Sequence, residues 1–112
     1  MPAIDKTTFD ELKQMSGADF INELIDTFLE DAPKMIAEIK SALEAGDADS
    51  FRRAAHSMKS NAAAFGAGQL AALAKELETL GKENKLSETG GRLESLEEAY
   101  ESVREELKGL KS

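Results

Sequence analysis

The stretch FRRAAHSMKSNAAAFGA, Phe51 to Ala67, holds the single histidine of the chain and shows how its helix must face. At about 100° per residue, Ala54, Ala55, Met58, Ala62 and Phe65 fall within about 60° of Phe51 and form one apolar stripe. On the same wheel His56 lies about 140° from that direction, with Arg52, Lys59, Ser60 and Ala63 around it on adjacent turns. The helix therefore buries one side, and on the other it presents an imidazole among two cations and two very small side chains.

Outward from this segment the same periodicity repeats. Before it, Phe20, Leu24, Phe28, Ala32, Ile36, Ile39 and Leu43 recur at steps of three and four, which predicts a helix over Ala18 to Ala45. Pro33 sits inside that stripe, where it removes a backbone donor; the unbroken pattern on both sides favours one kinked helix over a restart. A short opening helix is expected over Thr8 to Met15, with Phe9 and Leu12 one turn apart and Thr7 or Thr8 as N-cap. The segment EAGDADS punctuates: Gly46 suits a left-handed helix end, and Asp47 or Asp49 can cap the histidine helix, expected over Ala48 to Phe65. Leu70, Leu73, Leu77 and Leu80 predict a helix over Gln69 to Asn84. After the looser KLSETGG, Leu93, Leu96, Tyr100, Val103, Leu107 and Leu110 predict a last helix over Gly91 to Leu110.

No amphipathic helix of this kind is stable alone, and short connections make sequential helices antiparallel neighbours. The expected fold is all-α: an antiparallel up-and-down four-helix bundle with a short extra N-terminal helix, in one domain spanning 1–112. With 112 residues and 41% apolar content, one core can be built.

Fourteen bases against 22 acids give a formal net charge of −8, which repels phosphate backbones and anionic lipid. Nucleic-acid and membrane binding are thus not expected. The absence of cysteine removes disulfides, thiolate metal sites and cysteine nucleophiles. No apolar run approaches a membrane span, and MPAIDKTTFDEL lacks the basic start and apolar middle of a secretion signal, so a cytoplasmic protein is expected. A di-metal carboxylate bundle would need a Glu-x-x-His pair on each of two helices. Arg53 occupies the glutamate position before His56 and no second histidine exists, so no metal site is expected.

Neutral imidazole offers one ring nitrogen as a nucleophile. A phosphoryl group placed there would need nearby cations, and Lys59, one turn on, can reach its oxygens as a point charge. Ser60 and Ala63 leave the ring open to a partner's approach. An exposed histidine among charges can equally be a solvated surface residue; the wheel alone does not separate the two readings.

The segment AAHSMKSNAAAFGA resembles the signature of histidine-containing phosphotransfer (HPt) domains, commonly H-x-L-K-G-S/A with a glycine six residues after the first. The likeness extends through FINELIDTFLEDAPKMIAEIKSALEAGDADSFRRAAHSMKS and covers about Phe20 to Glu78. It implies that His56 is the phosphoaccepting histidine, that Lys59 steadies the phosphoryl group, and that Gly66 is the structural glycine of the motif. Glu78 matches a position where many members carry a glutamine or similar polar residue beside the histidine, and Gln69 lies on the same helix as the other candidate for that contact. Ser60 stands where the family has glycine and Met58 where it has leucine, both small departures.

The resemblance also implies a stoichiometric phosphocarrier rather than an enzyme, relaying a phosphoryl group between aspartates of response-regulator receiver domains downstream of a hybrid sensor histidine kinase. No cofactor is expected on this chain, with Mg²⁺ on the partner receiver, and the form is expected to be monomeric. The docking face would comprise Arg52, Arg53, Ser60, Ala63 and Ala64 around His56, with apolar residues of the opening helix at its edge. The rival reading is an HPt-like module that binds a kinase or receiver without carrying phosphate.

Overall fold

Each apolar stripe becomes a helix in the structure, a computed structural model that describes residues 3–111. The expected domain span of 1–112 thus includes Met1, Pro2 and Ser112, which lie outside the described residues. The elements are α1 (Lys6–Ser16), α2 (Ala18–Ala45), α3 (Ala48–Ala64), α4 (Gly68–Lys82), a single 3₁₀ turn (Leu86–Glu88) and α5 (Arg92–Leu110). Among the described residues there is no strand.

Helix α2 sets the length of the molecule. Its 28 residues, rising about 1.5 Å each, account for the longest dimension, 42 Å. It continues through Pro33 as one element. The long helices pack on their neighbours in sequence, most extensively α3 on α4, and α5 returns to α2. Ion pairs Lys40–Glu97 (3.1 Å) and Asp26–Lys111 (2.6 Å) tie α2 to the α5 side, with positions rising along one chain segment as they fall along the other. The core between them holds Ile25, Phe28, Ile39, Phe51, Met58, Leu70, Leu77, Leu96, Val103 and Leu107, all buried. Phe28 packs against both Phe65 and Tyr100, with ring centroids 5.2 and 6.0 Å apart.

Three helix ends close in the same way. Gly46, Gly66 and Asn84 take positive φ (69°, 79° and 56°). The amide of the following residue then bonds a carbonyl five positions back: Asp47 to Ala42, Ala67 to Ala62, and Lys85 to Leu80, at 2.8–2.9 Å. Asn84 in this conformation ends α4 at Lys82, two residues before the expected end, and places Asn84 itself outside the helix.

Two expectations are corrected at the N-terminal end. The N-cap of α1 is Asp5 rather than Thr7 or Thr8, and Thr8 donates its hydroxyl back to Asp5 Oδ2 at 2.8 Å. A tertiary contact selects this start: the Asp5 amide donates to the Gly66 carbonyl at 2.8 Å, and Ala3 and Ile4 donate to Glu106 on α5. In α2, the first buried residues are Ile21 and Ile25, while Phe20 is half exposed. Both registers are apolar here, so periodicity could not choose between Phe20 and Ile21; packing turned the latter inward.

Candidate functional site

The N-terminus of α3 is secured by Asp47, whose Oδ1 accepts from the Ser50 amide at 3.1 Å and whose Oδ2 accepts from the Ser50 hydroxyl at 2.7 Å. These bonds hold the Asp47 carboxyl below the usual carboxylate range. From that fixed start, Phe51, Ala54, Ala55, Met58 and Ala62 face the core. The opposite face carries His56, whose side chain is 55% exposed. Lys59 is half-buried one turn on.

Helix α4 supplies the third group. Glu78 is mostly buried, its side chain 17% exposed, and it faces both residues of α3. Its Oε2 lies 2.6 Å from His56 Nδ1 and its Oε1 accepts from Lys59 Nζ at 2.6 Å. The Lys59 ammonium holds the Glu78 carboxyl below its ordinary value of 4.5; partial burial opposes this, and the His56 bond adds to it. Glu78 is therefore ionised at neutral pH. An ionised carboxylate can only accept, so Nδ1 must carry the proton in this hydrogen bond. In the neutral ring the lone pair then resides on Nε2.

Of Glu78 and Gln69, the two candidates beside the ring, Glu78 makes the contact. Gln69 precedes it by nine positions on α4, about 13 Å along the axis, too far to share the site. Ser60 and Ala63 are exposed on α3, as the wheel places them, and so is Ala64 of the expected docking face. Arg52 and Arg53 are less free than their charge suggests. Both pair with Asp49, at 2.9 and 3.1 Å, and hold its carboxyl below the usual range. Met15 on α1 is 86% exposed, an apolar side chain presented by the opening helix.

Gly66 lies beyond α3 and touches the N-terminal segment. A Cβ on it would come within 2.9 Å of the Asp5 carbonyl oxygen and 3.0 Å of Thr8 Cβ. Gly81, which the helical pattern did not single out, is the other glycine under close packing. A Cβ there would meet Arg52 Cβ and N at 3.0 Å and Ala48 O at 3.1 Å. The available signal was a glycine inside the amphipathic run LETLGK, where alanine would serve a helix better. Among the described residues, no group of three or more His, Cys, Asp or Glu is placed to hold a metal ion, and no helix is long and apolar enough to cross a membrane.

Comparison with known proteins adds a family to this geometry. The model described as Hpt domain matches residues 23–106, from within α2 to the last turns of α5. The chain belongs to the Hpt domain family. Among solved structures, the histidine-containing phosphotransfer protein B (HptB) from Pseudomonas aeruginosa PAO1 is similar in sequence and shape. It shares 31% identity with a TM-score of 0.92, over 98% of this chain and 95% of that one. No curated protein sequence matches the chain. Family membership supports histidine phosphotransfer within phosphorelays, and the fold agrees with that of the Hpt neighbour.

Proposed function

We propose that His56 carries a phosphoryl group on Nε2, taking it from the aspartyl phosphate of one response-regulator receiver domain and handing it to the aspartate of another. The observation that carries this reading is the 2.6 Å bond between His56 Nδ1 and ionised Glu78, which leaves the lone pair on Nε2 of a half-exposed ring. In the step, the Nε2 lone pair forms the N–P bond as the aspartyl O–P bond breaks, and the carboxylate departs with that electron pair. The imidazole retains its Nδ1 proton and becomes cationic, which Glu78 stabilises by charge as well as orientation. Keeping Nδ1 protonated also keeps the imidazole a good leaving group for onward transfer.

Lys59 has three donors and gives one to Glu78. The others serve the oxygens of the incoming phosphoryl group, so cation and carboxylate together steady both partners in the new bond. Phosphoryl transfer asks mainly for such positioning and charge stabilisation, and the receiver would bring the Mg²⁺. The chain acts as a stoichiometric carrier, upstream of which we place a hybrid sensor histidine kinase. We read its long helices as an antiparallel four-helix bundle with α1 as the extra helix, working as a monomer in the cytoplasm. The receiver docks over Ser60, Ala63 and Ala64 with Arg52 and Arg53 at the rim and Met15 at the α1 edge. Small side chains there permit an in-line approach, and a small patch suits a transient encounter.

The test is a transfer assay with phosphorylated receiver domains, the wild type beside His56→Gln. Label arriving on the wild type alone, lost in acid and kept in base, supports the carrier. Equal labelling of the variant removes His56 from the role. Binding of receivers without any transfer leaves the interaction-module reading in its place.

A further inference from the structure

Glycine in a helix is less favourable than alanine, so a helical glycine with an ordinary φ needs another reason. Gly81 is such a residue: it lies in α4, is buried, and is absent from the positive-φ glycines, which are Gly17, Gly46, Gly66 and Gly90. Its neighbours supply the reason. The ideal Cβ position stands 3.0 Å from both the amide nitrogen and Cβ of Arg52 and 3.1 Å from the carbonyl oxygen of Ala48. Two of those three atoms belong to the α3 backbone, which cannot swing aside as a side-chain tip does.

The place of this contact relates it to the site. Gly81 follows Glu78 by three positions, and Arg52 precedes His56 by four. Residues at these spacings share a helix face one turn apart. The Gly81–Arg52 approach is therefore the turn next to the Glu78–His56 contact, on the same interface between α3 and α4. Close-packed backbones pass displacement along an element rather than absorbing it.

We propose that Gly81 is a positioning residue: by letting α4 touch the α3 backbone at Arg52 and Ala48, it sets the helix separation at which Glu78 reaches both His56 and Lys59. It acts through Glu78 and touches no reacting atom. A methyl group there pushes the helices apart by a few tenths of an ångström. The charge-assisted bond to Nδ1, at 2.6 Å, then lengthens, and the ring loses its single tautomer. This assignment rests on the phosphotransfer reading for its consequence, though the tautomer itself can be measured without it.

The experiment compares Gly81→Ala with Gly68→Ala, the same change on the same helix at a position with nothing within 4 Å. Both proteins are labelled with ¹⁵N at histidine. Long-range ¹H–¹⁵N correlation spectra then report which nitrogen of His56 holds the proton, and circular dichroism reports the helices. The expected result is a helical Gly81→Ala whose Nδ1 and Nε2 shifts move toward a tautomer mixture, with acceptance of phosphoryl label slowed about threefold. Gly68→Ala should keep the wild-type shifts and rate. Unchanged shifts in Gly81→Ala would overturn the proposal, and so would loss of helical structure, which would make the glycine a requirement of the bundle and not of the site. If the wild type itself accepts no label, the phosphotransfer reading fails, while the tautomer comparison still decides whether Gly81 positions Glu78.

Discussion

Glu78 Oε2 lies 2.6 Å from His56 Nδ1, joining a mostly buried carboxylate on α4 to a half-exposed imidazole on α3. The other oxygen of the same carboxylate takes Lys59. One acid thus orients the proposed nucleophile and holds the cation that would steady its phosphoryl group. The charge of Glu78, and not merely its shape, is what the proposed chemistry uses.

That distinction is open to substitution. Glu78→Gln keeps an oxygen that can accept from Nδ1 but removes the charge facing the imidazolium and Lys59. Charge-assisted hydrogen bonds are about twice as strong as neutral ones, a difference of about 1 kcal/mol, or about fivefold in rate. Glu78→Ala removes the acceptor altogether and should slow transfer by about 10- to 100-fold. Initial rates of label acceptance from a phosphorylated receiver, measured for both, should fall in that order.

Acid should weaken the fold through the same residue. The folded-state pKa of Glu78 is lowered, first by the Lys59 bond, so its ionised form is favoured in the native state. Its contribution is fully present above the ordinary value of 4.5 and is lost as pH falls through the lowered folded value. The wild type should melt above Glu78→Gln near neutral pH, and the two melting temperatures should converge well below pH 4.5. Thermal melts followed by circular dichroism across that range measure the convergence.

Gly66 and Gly46 separate two costs of replacing a glycine. Both have positive φ, so alanine at either meets a backbone penalty of about 1–2 kcal/mol. Only at Gly66 would the new Cβ also strike the Asp5 carbonyl, at 2.9 Å; at Gly46 nothing lies within 4 Å. Gly66→Ala should therefore destabilise more than Gly46→Ala, and it alone should loosen α1. Urea denaturation gives the first comparison, and amide hydrogen exchange in Lys6–Ser16 the second.

Tyr100 is buried, and its hydroxyl has no hydrogen-bond partner among the described residues. Burial also pushes its pKa up. Leaving a buried hydroxyl unpaired costs about 1–3 kcal/mol, so Tyr100→Phe should be neutral to stabilising by about 1 kcal/mol. Its ring contact with Phe28 should survive the change. A lower urea midpoint for the variant would show that the hydroxyl contributes a bond.

The legible parts of the molecule were those governed by periodicity within one helix. The stripe from Phe51 to Phe65 places His56 outside on spacing alone, and the long run around Pro33 reads as one helix. What escaped depended on contacts between elements. Asp5 displaces the threonines as cap because its amide bonds Gly66 across the fold. Ile21 rather than Phe20 turns inward because partners, not spacing, decide between adjacent apolar residues. Gly81 carried only a weak local signal, and its meaning appears once α3 lies against it.

The most direct measurement concerns the atom proposed to carry phosphorus. The ¹⁵N-histidine protein, phosphorylated by a receiver domain, should show nitrogen–phosphorus coupling at Nε2 of His56, with Nδ1 still protonated and facing Glu78. Coupling at Nδ1, or phosphorus retained by His56→Gln, would contradict the account.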